Sequence, residues 1–195
     1  MKPIHIVDGP PLYTNCFLLV GDAGHAVAID PAAAEERWVK ALEENDATLT
    51  HILLTHGHYD HVGSVQALRA RYGARLYMNA ADAAQFDIKP DETYTDFGTI
   101  TVDDMAFQTI FTPGHTPGST CIRCGDLLFT GDTLFAGDIG RTDLPGGSMP
   151  QMQESLAKLL KVIEGDPQVL PGHEEFSSFE EEKHSNPYLN PNAGL

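Results

Sequence analysis

Short blocks of apolar residues recur along this chain, and their period switches between that of a strand and that of a helix. Residues 4–7, 13–20 and 26–30 are brief runs rich in Ile, Val, Leu and Phe, and predict strands. Over 33–44 the spacing becomes helical, with Trp38, Ala41 and Leu42 as candidate core positions. A strand is expected at 50–54, then a helix over 62–72 in which Val65, Leu68 and Tyr72 repeat at helical spacing. Residues 75–78 return as a strand and 80–86 as a short helix. Strands resume at 99–103, 107–112, 119–124 and 127–130. Ser148-Met149-Pro150-Gln151 has the form of a capping box, opening a helix with an apolar stripe of Met152, Leu156, Leu159, Leu160 and Ile163. That stripe predicts ordinary core packing.

Four apolar runs end in residues that carry chemistry. The run that closes at Leu54 leads directly into T-H-G-H-Y-D-H at 55–61. Alternate side chains of an extended segment point the same way, so His56 and His58 can close on one metal ion. Asp60 and His61 lie where the chain must turn, which can swing them toward a second ion. Neutral imidazoles and carboxylates together suit zinc, iron or manganese more than calcium. No cysteine pair accompanies these histidines at finger spacing, so a zinc finger does not account for them. Three further runs have the same form, leading into T-P-G-H at His115, T-G-D at Asp132 and P-G-H at His173. A glycine before each of these lets the backbone turn tightly beside a crowded site. A surface loop that is merely rich in histidine accounts for 55–61 taken alone, but not for four converging elements.

These motifs resemble the metallo-β-lactamase superfamily, most closely its glyoxalase II-like branch of hydroxyacylglutathione hydrolases and their short bacterial relatives. Residues 14–20 and 28–31 also resemble the first strands of that family. The resemblance covers nearly the whole chain. It implies an α/β fold of αββα type, two mixed sheets face to face with helices outside and a dinuclear site at one edge. It implies that His56, His58 and His115 hold one ion, that Asp60, His61 and His173 hold the other, and that Asp132 bridges them. Two divalent transition-metal ions follow, zinc by preference, with iron or manganese as alternatives. In that scheme a hydroxide shared by the ions attacks a carbonyl, and Asp60 orients the nucleophile as well as binding metal. The implied activity is hydrolysis of a small thioester such as S-D-lactoylglutathione. An iron-dependent persulfide dioxygenase is the alternative, because G-R-T-D at 140–143 resembles both groups. A non-enzymatic metal-binding scaffold is the third reading, and seven mutually suited ligands speak against it.

Size and charge narrow the picture. A chain of 195 residues without linker, repeat or low-complexity block is expected to form one catalytic domain, 1–195. After His173 little sequence remains for the helical glutathione-binding domain that full-length relatives append, so weak glutathione specificity is expected. Residues 180–189 predict little more than one helical turn and a packed strap. The absence of a long apolar stretch predicts neither a secretory signal nor a membrane span, and hence a cytoplasmic location. Three cysteines, an odd number, make no disulfide framework. A net charge of −16, from 28 acidic and 12 basic residues, repels a phosphate backbone. The densest basic group, Arg69, Arg71 and Arg75, reads as the side and end of one helix. A small-molecule substrate is therefore the expected partner, with no nucleic acid and no membrane.

Other conspicuous residues read as structural. Cys121-Ile122-Arg123-Cys124 spells C-x-x-C, but positions three apart on a strand face opposite sides, so a buried thiol plus a hairpin residue is expected instead of a redox pair. His5, His25, His51 and His184 lack ligand-like surroundings. Glu174 and Glu175 read as an acidic turn near the site. Arg141 is expected to pair with Asp143 or Asp132 in a buried network that braces the metal loop. The start of the 62–72 helix is expected to offer N–H groups to Asp60.

Overall fold

Alternation along the strands sets the layers. The computed structural model describes residues 3–190. Strands β1 (Ile4–Val7), β2 (Asn15–Val20) and β3 (His25–Ile29) form an antiparallel meander. Helix α1 (Glu35–Glu44) then leads to β4 (Thr48–Leu53), α2 (Val65–Tyr72) to β5 (Arg75–Met78), and α3 (Ala80–Gln85) to β6 (Glu92–Thr93). Each of these strands runs parallel to the one before, which is why a helix must separate them. The second sheet opens with antiparallel β7 (Thr99–Val102), β8 (Met105–Phe111), β9 (Thr120–Cys124) and β10 (Leu127–Gly131). A small hairpin of β11 (Leu134–Phe135) and β12 (Asp138–Ile139) follows. Helix α4 (Met149–Val162) then brings β13 (Gln168–Pro171) back parallel to β10, and β14 (Ser177–Ser178) and α5 (Phe179–Ser185) complete the described chain. The sheet orders are β1-β2-β3-β4-β5-β6 and β14-β13-β10-β9-β8-β7.

Successive side chains of the second sheet go to different cores. Ile122, Cys124, Leu127, Phe129 and Leu170 join Phe17, Leu19 and Ile29 in one buried cluster. Cys121, Leu128 and Val169 point the other way, onto Met152, Leu156 and Leu159 of α4 and Phe179 of α5. Phe17 and Phe129 meet between the sheets with ring centroids 5.1 Å apart. Helices α1 and α2 cover the first sheet through Trp38, Leu42, Val65 and Leu68. The result is the expected αββα sandwich, with Met152, Leu156, Leu159 and Ile163 of the expected stripe packed in the core and Leu160, one position round the helix from Leu159, exposed instead.

The expected elements are present, with ends moved by a few residues, and two differences matter. Helix α2 begins at Val65, not at 62, because the preceding turn is tied to the chain after β3. Ser64 donates its N–H to the carbonyl of Pro31 at 2.8 Å and its hydroxyl to that of Ala33 at 2.6 Å. The carboxylate of Asp60 is met by His173 Nε2 at 3.2 Å, so the expected hold by a helix N-terminus gives way to a histidine contact. The second difference is α5, about two turns long where one was expected, with Phe179 fully buried. No helix among the described residues is long and apolar enough to cross a membrane.

Cys121 lies in the outer core and Cys124 between the sheets, so the C-x-x-C divides between two faces as its spacing predicts. All three thiols are free and buried, and burial pushes Cys16 up to about 12 and Cys121 up to about 11. A thiol reagent is expected to label none of them in native protein and all three after unfolding. Cys121→Ala should cost about 1 kcal/mol in urea denaturation, with turnover per folded molecule unchanged. Rapid native labelling of the Cys121–Cys124 pair would contradict this.

Candidate metal centre

The edge where both sheets end gathers all seven residues singled out in the sequence. β4 runs straight into Thr55 and His56, the β8–β9 loop carries His115, Asp132 follows β10, and His173 follows β13. Because β10 and β13 are neighbours and parallel, their ends release Asp132 and His173 on the same side. Three groups of donors form in which the facing atoms lie within 4.8 Å of one another: His56, His58 and His115; Asp60, His61 and His173; and Asp30, His56 and His61, of which Asp30 is already taken up by Thr55 and the far nitrogen of His61. Asp132 stands between the first two. Its Oδ2 is 3.4 Å from His115 Nε2 and 3.6 Å from His173 Nε2, and its Oδ1 is 3.4 Å from His61 Nε2. Gly172 keeps this gap narrow: a Cβ there would collide with Asp132 Oδ1 and lie 2.5 Å from His61 Cε1.

Hydrogen bonds on the far side of each ring decide which nitrogen faces inward. His61 Nδ1 donates to Asp30 at 2.9 Å, His115 Nδ1 to the carbonyl of Arg141 at 2.8 Å, and His173 Nδ1 to that of Leu12 at 3.0 Å. Such acceptors leave each Nε2 directed at the centre. His56 Nε2 and Asp132 Oδ1 are buried with no hydrogen-bond partner. Bare buried acceptors of this kind need an explanation, and a cation satisfies them.

The charges agree. Burial, then the neighbouring histidines, hold His56 well below its ordinary value, and burial with His115 lowers His58 to about 4. His61 moves the other way: burial opposes its charge, but Asp132 and Asp30 outweigh it and raise the ring to about 9. Burial also opposes the charge of Asp60, yet the hydrogen bond from His173 and the field of His61 lower it to about 2. A proton on His61 compensates carboxylates that a metal ion would compensate better. The donor set fits two divalent transition-metal ions.

Two buried aspartates whose roles the motifs did not reveal hold this frame. Asp30 Oδ1 accepts from Thr55 N at 2.8 Å, and its Oδ2 accepts from Thr55 Oγ1 at 2.5 Å as well as from His61. Asp82, fully buried on α3, ties together the loops that supply the first set. Its Oδ2 accepts from Gly57 N at 2.9 Å and Thr116 Oγ1 at 2.8 Å, and its Oδ1 from Gly118 N at 2.6 Å. Burial raises the pKa of Asp82 against those bonds. The one clue in the sequence is a lone acid among the alanines of 80–84.

Arg141 takes one of its two expected partners, Asp143, but not in the expected buried network. Its guanidinium pairs with Asp143 at 2.7 Å on the surface, with 62% of its side chain exposed. Only its main-chain carbonyl braces the centre, through His115, because the side chain leaves toward solvent. His5, His25, His51 and His184 take local partners, Asn15, Asp103, Thr50 and Glu180. A cleft of about 690 Å³ opens beside the centre, with Leu12, Tyr59, Phe135, Ile139 and Leu144 among its walls. Arg141 is the one Lys or Arg among its described lining residues, which also include Asp138 and Glu174.

The model of the metallo-beta-lactamase superfamily matches residues 9–173. The chain belongs to this superfamily. It is 33% identical to hydroxyacylglutathione hydrolase GloC of Haemophilus influenzae over 207 aligned positions, covering 96% of this chain and 98% of that one. The solved structure of ETHE1 from Myxococcus xanthus is similar with a TM-score of 0.86 and 30% identity, covering 98% of this chain and 92% of that one. TTHA1623, solved in a di-iron-bound form, is similar with a TM-score of 0.79 and 29% identity, covering 97% and 100%. The glyoxalase II-like resemblance and the sandwich fold are both borne out.

Asp82→Ala leaves buried N–H groups of Gly57 and Gly118 without acceptors. The variant should lose at least about 3 kcal/mol in urea denaturation. A loss under about 1 kcal/mol would mean that water replaces the carboxylate.

Proposed function

We propose that this superfamily member is a dinuclear metallohydrolase that cleaves small thioesters, S-D-lactoylglutathione or a related 2-hydroxyacyl thioester. The observation that carries this reading is the pair of donor sets with Asp132 between them, opening on a cleft with apolar walls. The likeness to GloC supports the thioester class. His56, His58 and His115 hold one ion in this reading, Asp60, His61 and His173 the other, and Asp132 reaches both. When bound, such ions supply an activated water at neutral pH and Lewis-acid polarisation of the carbonyl. Zinc is the proposed metal, and iron suits the same donors.

The chain's own residues supply position and charge. Asp132 fixes the separation of the two sets, and Asp30 with the carbonyls of Arg141 and Leu12 keeps three rings from turning. Asp60, held ionised by His173 and His61, accepts a hydrogen bond from the attacking water and orients it. A departing thiolate is stable enough to leave without a strong general acid. With Arg141 alone against Asp138 and Glu174, the cleft grips an anionic tripeptide weakly. An iron-dependent persulfide dioxygenase is the second reading, supported by the likeness to ETHE1 and compatible with G-R-T-D at 140–143, which resembles both groups.

Elemental analysis after metal-replete expression should give close to two transition-metal equivalents per chain. S-D-lactoylglutathione should be hydrolysed slowly to moderately, with an elevated KM, and acyl esters of shorter thiols should also react. One iron with no hydrolysis would instead favour the dioxygenase. Asp132→Ala should lower both metal content and turnover, the latter by ~100-fold or more. Two retained metals with normal turnover would remove Asp132 from the bridging role.

A further inference from the structure

Glu182, on α5, is a carboxylate only 1% exposed, and no ion pair reaches it among the described residues. Its neighbour Glu181 is exposed to solvent. Glu182 Oε2 accepts from the N–H of Gly137 at 2.9 Å and from Asn186 Nδ2 at 2.8 Å. Asn186, fully buried, also donates from Nδ2 to the carbonyl of Asp138 at 3.0 Å and that of Phe135 at 3.3 Å. All three main-chain partners belong to the β11–β12 hairpin. Its strands are two residues each, too short to hold a shape unaided.

The same hairpin faces the cleft. Phe135, Ala136, Asp138 and Ile139 line it, and the Phe135 ring stands edge-on to His173 with centroids 6.3 Å apart. A buried carboxylate without a cation is a poor way to add stability, since an apolar side chain of similar shape packs there at less cost. What the carboxylate and amide add is a link of fixed length and direction between α5 and the hairpin. We propose that Glu182 and Asn186 are positioning residues that hold this wall in place and thereby set the affinity for the thiol portion of the substrate. The affinity half of this assignment rests on the thioester reading; the clamp itself does not. A wall that must be ordered by each incoming substrate subtracts from binding and leaves the metal-ligand set untouched.

The test uses Glu182→Met, which keeps the side chain's length and removes both acceptor oxygens, with Asn186→Leu as a second variant should the first fail to fold. Hydrogen–deuterium exchange at 134–141 reads the clamp directly. Steady-state kinetics with S-D-lactoylglutathione and with an acyl ester of a shorter thiol reads its effect, alongside metals per chain. Faster exchange confined to the hairpin is expected, with unchanged metal content. KM for the glutathione thioester should rise roughly tenfold at similar kcat, and KM for the shorter ester should move less than about twofold. Unchanged exchange at 134–141 overturns the clamp. Faster exchange with both KM values unmoved reduces Glu182 to a structural part and overturns the positioning role. Should wild-type protein cleave no thioester, the functional reading and the affinity half fail together, and the exchange result alone decides the clamp.

Discussion

Three carboxylates, Asp30, Asp60 and Asp132, press against five imidazoles at one closed edge of the sandwich, and this concentration of lone pairs must be met by positive charge. Much of the local structure answers to that demand. His61 is driven up to about 9 where burial alone would drive it down, and His56 Nε2 and Asp132 Oδ1 are buried without a hydrogen-bond partner. A site of this kind is stable only as part of a larger charge balance. The fold's role is to keep like groups close without letting them relax apart.

It does so by dividing the work between rigid and adjustable parts. The strand ends of both sheets deliver the inward-facing atoms, and hydrogen bonds from the opposite side lock the rings of His61, His115 and His173. Asp82 sets the distance between two loops that are far apart in sequence, through main-chain N–H groups that carry no side-chain signal. Gly172 contributes by having no side chain at all: a Cβ there would take the space that Asp132 and His61 occupy.

The seven inward-facing residues were legible because imidazoles and a carboxylate followed apolar runs and turn glycines, a local pattern read without knowing the partners. The layers were legible for a similar reason, since short apolar runs mark the doubly buried strands β9 and β10, and helical spacing picks out Met152, Leu156 and Leu159 on α4. Asp30 and Asp82 were not, because each binds groups 25 or more residues away and leaves no spacing to read. Glu182 hid in an acidic run that looks solvated, and only the helical turn from Phe179 shows which of the glutamates faces in. The two-residue strands lie below the length at which a period exists. Arg141 was misjudged because sequence suggests a side chain's charge but not whether its carbonyl or its guanidinium does the bracing.

That last division has a consequence for how such a protein can change. At position 141 the main chain serves the imidazole of His115, while the side chain turns out to solvent and Asp143 where the residue borders the cleft. Any residue that keeps the backbone course preserves the first contact, so the side chain is free to vary under selection. Substrate range can drift at this one position across a lineage while the catalytic apparatus behind it stays inherited intact.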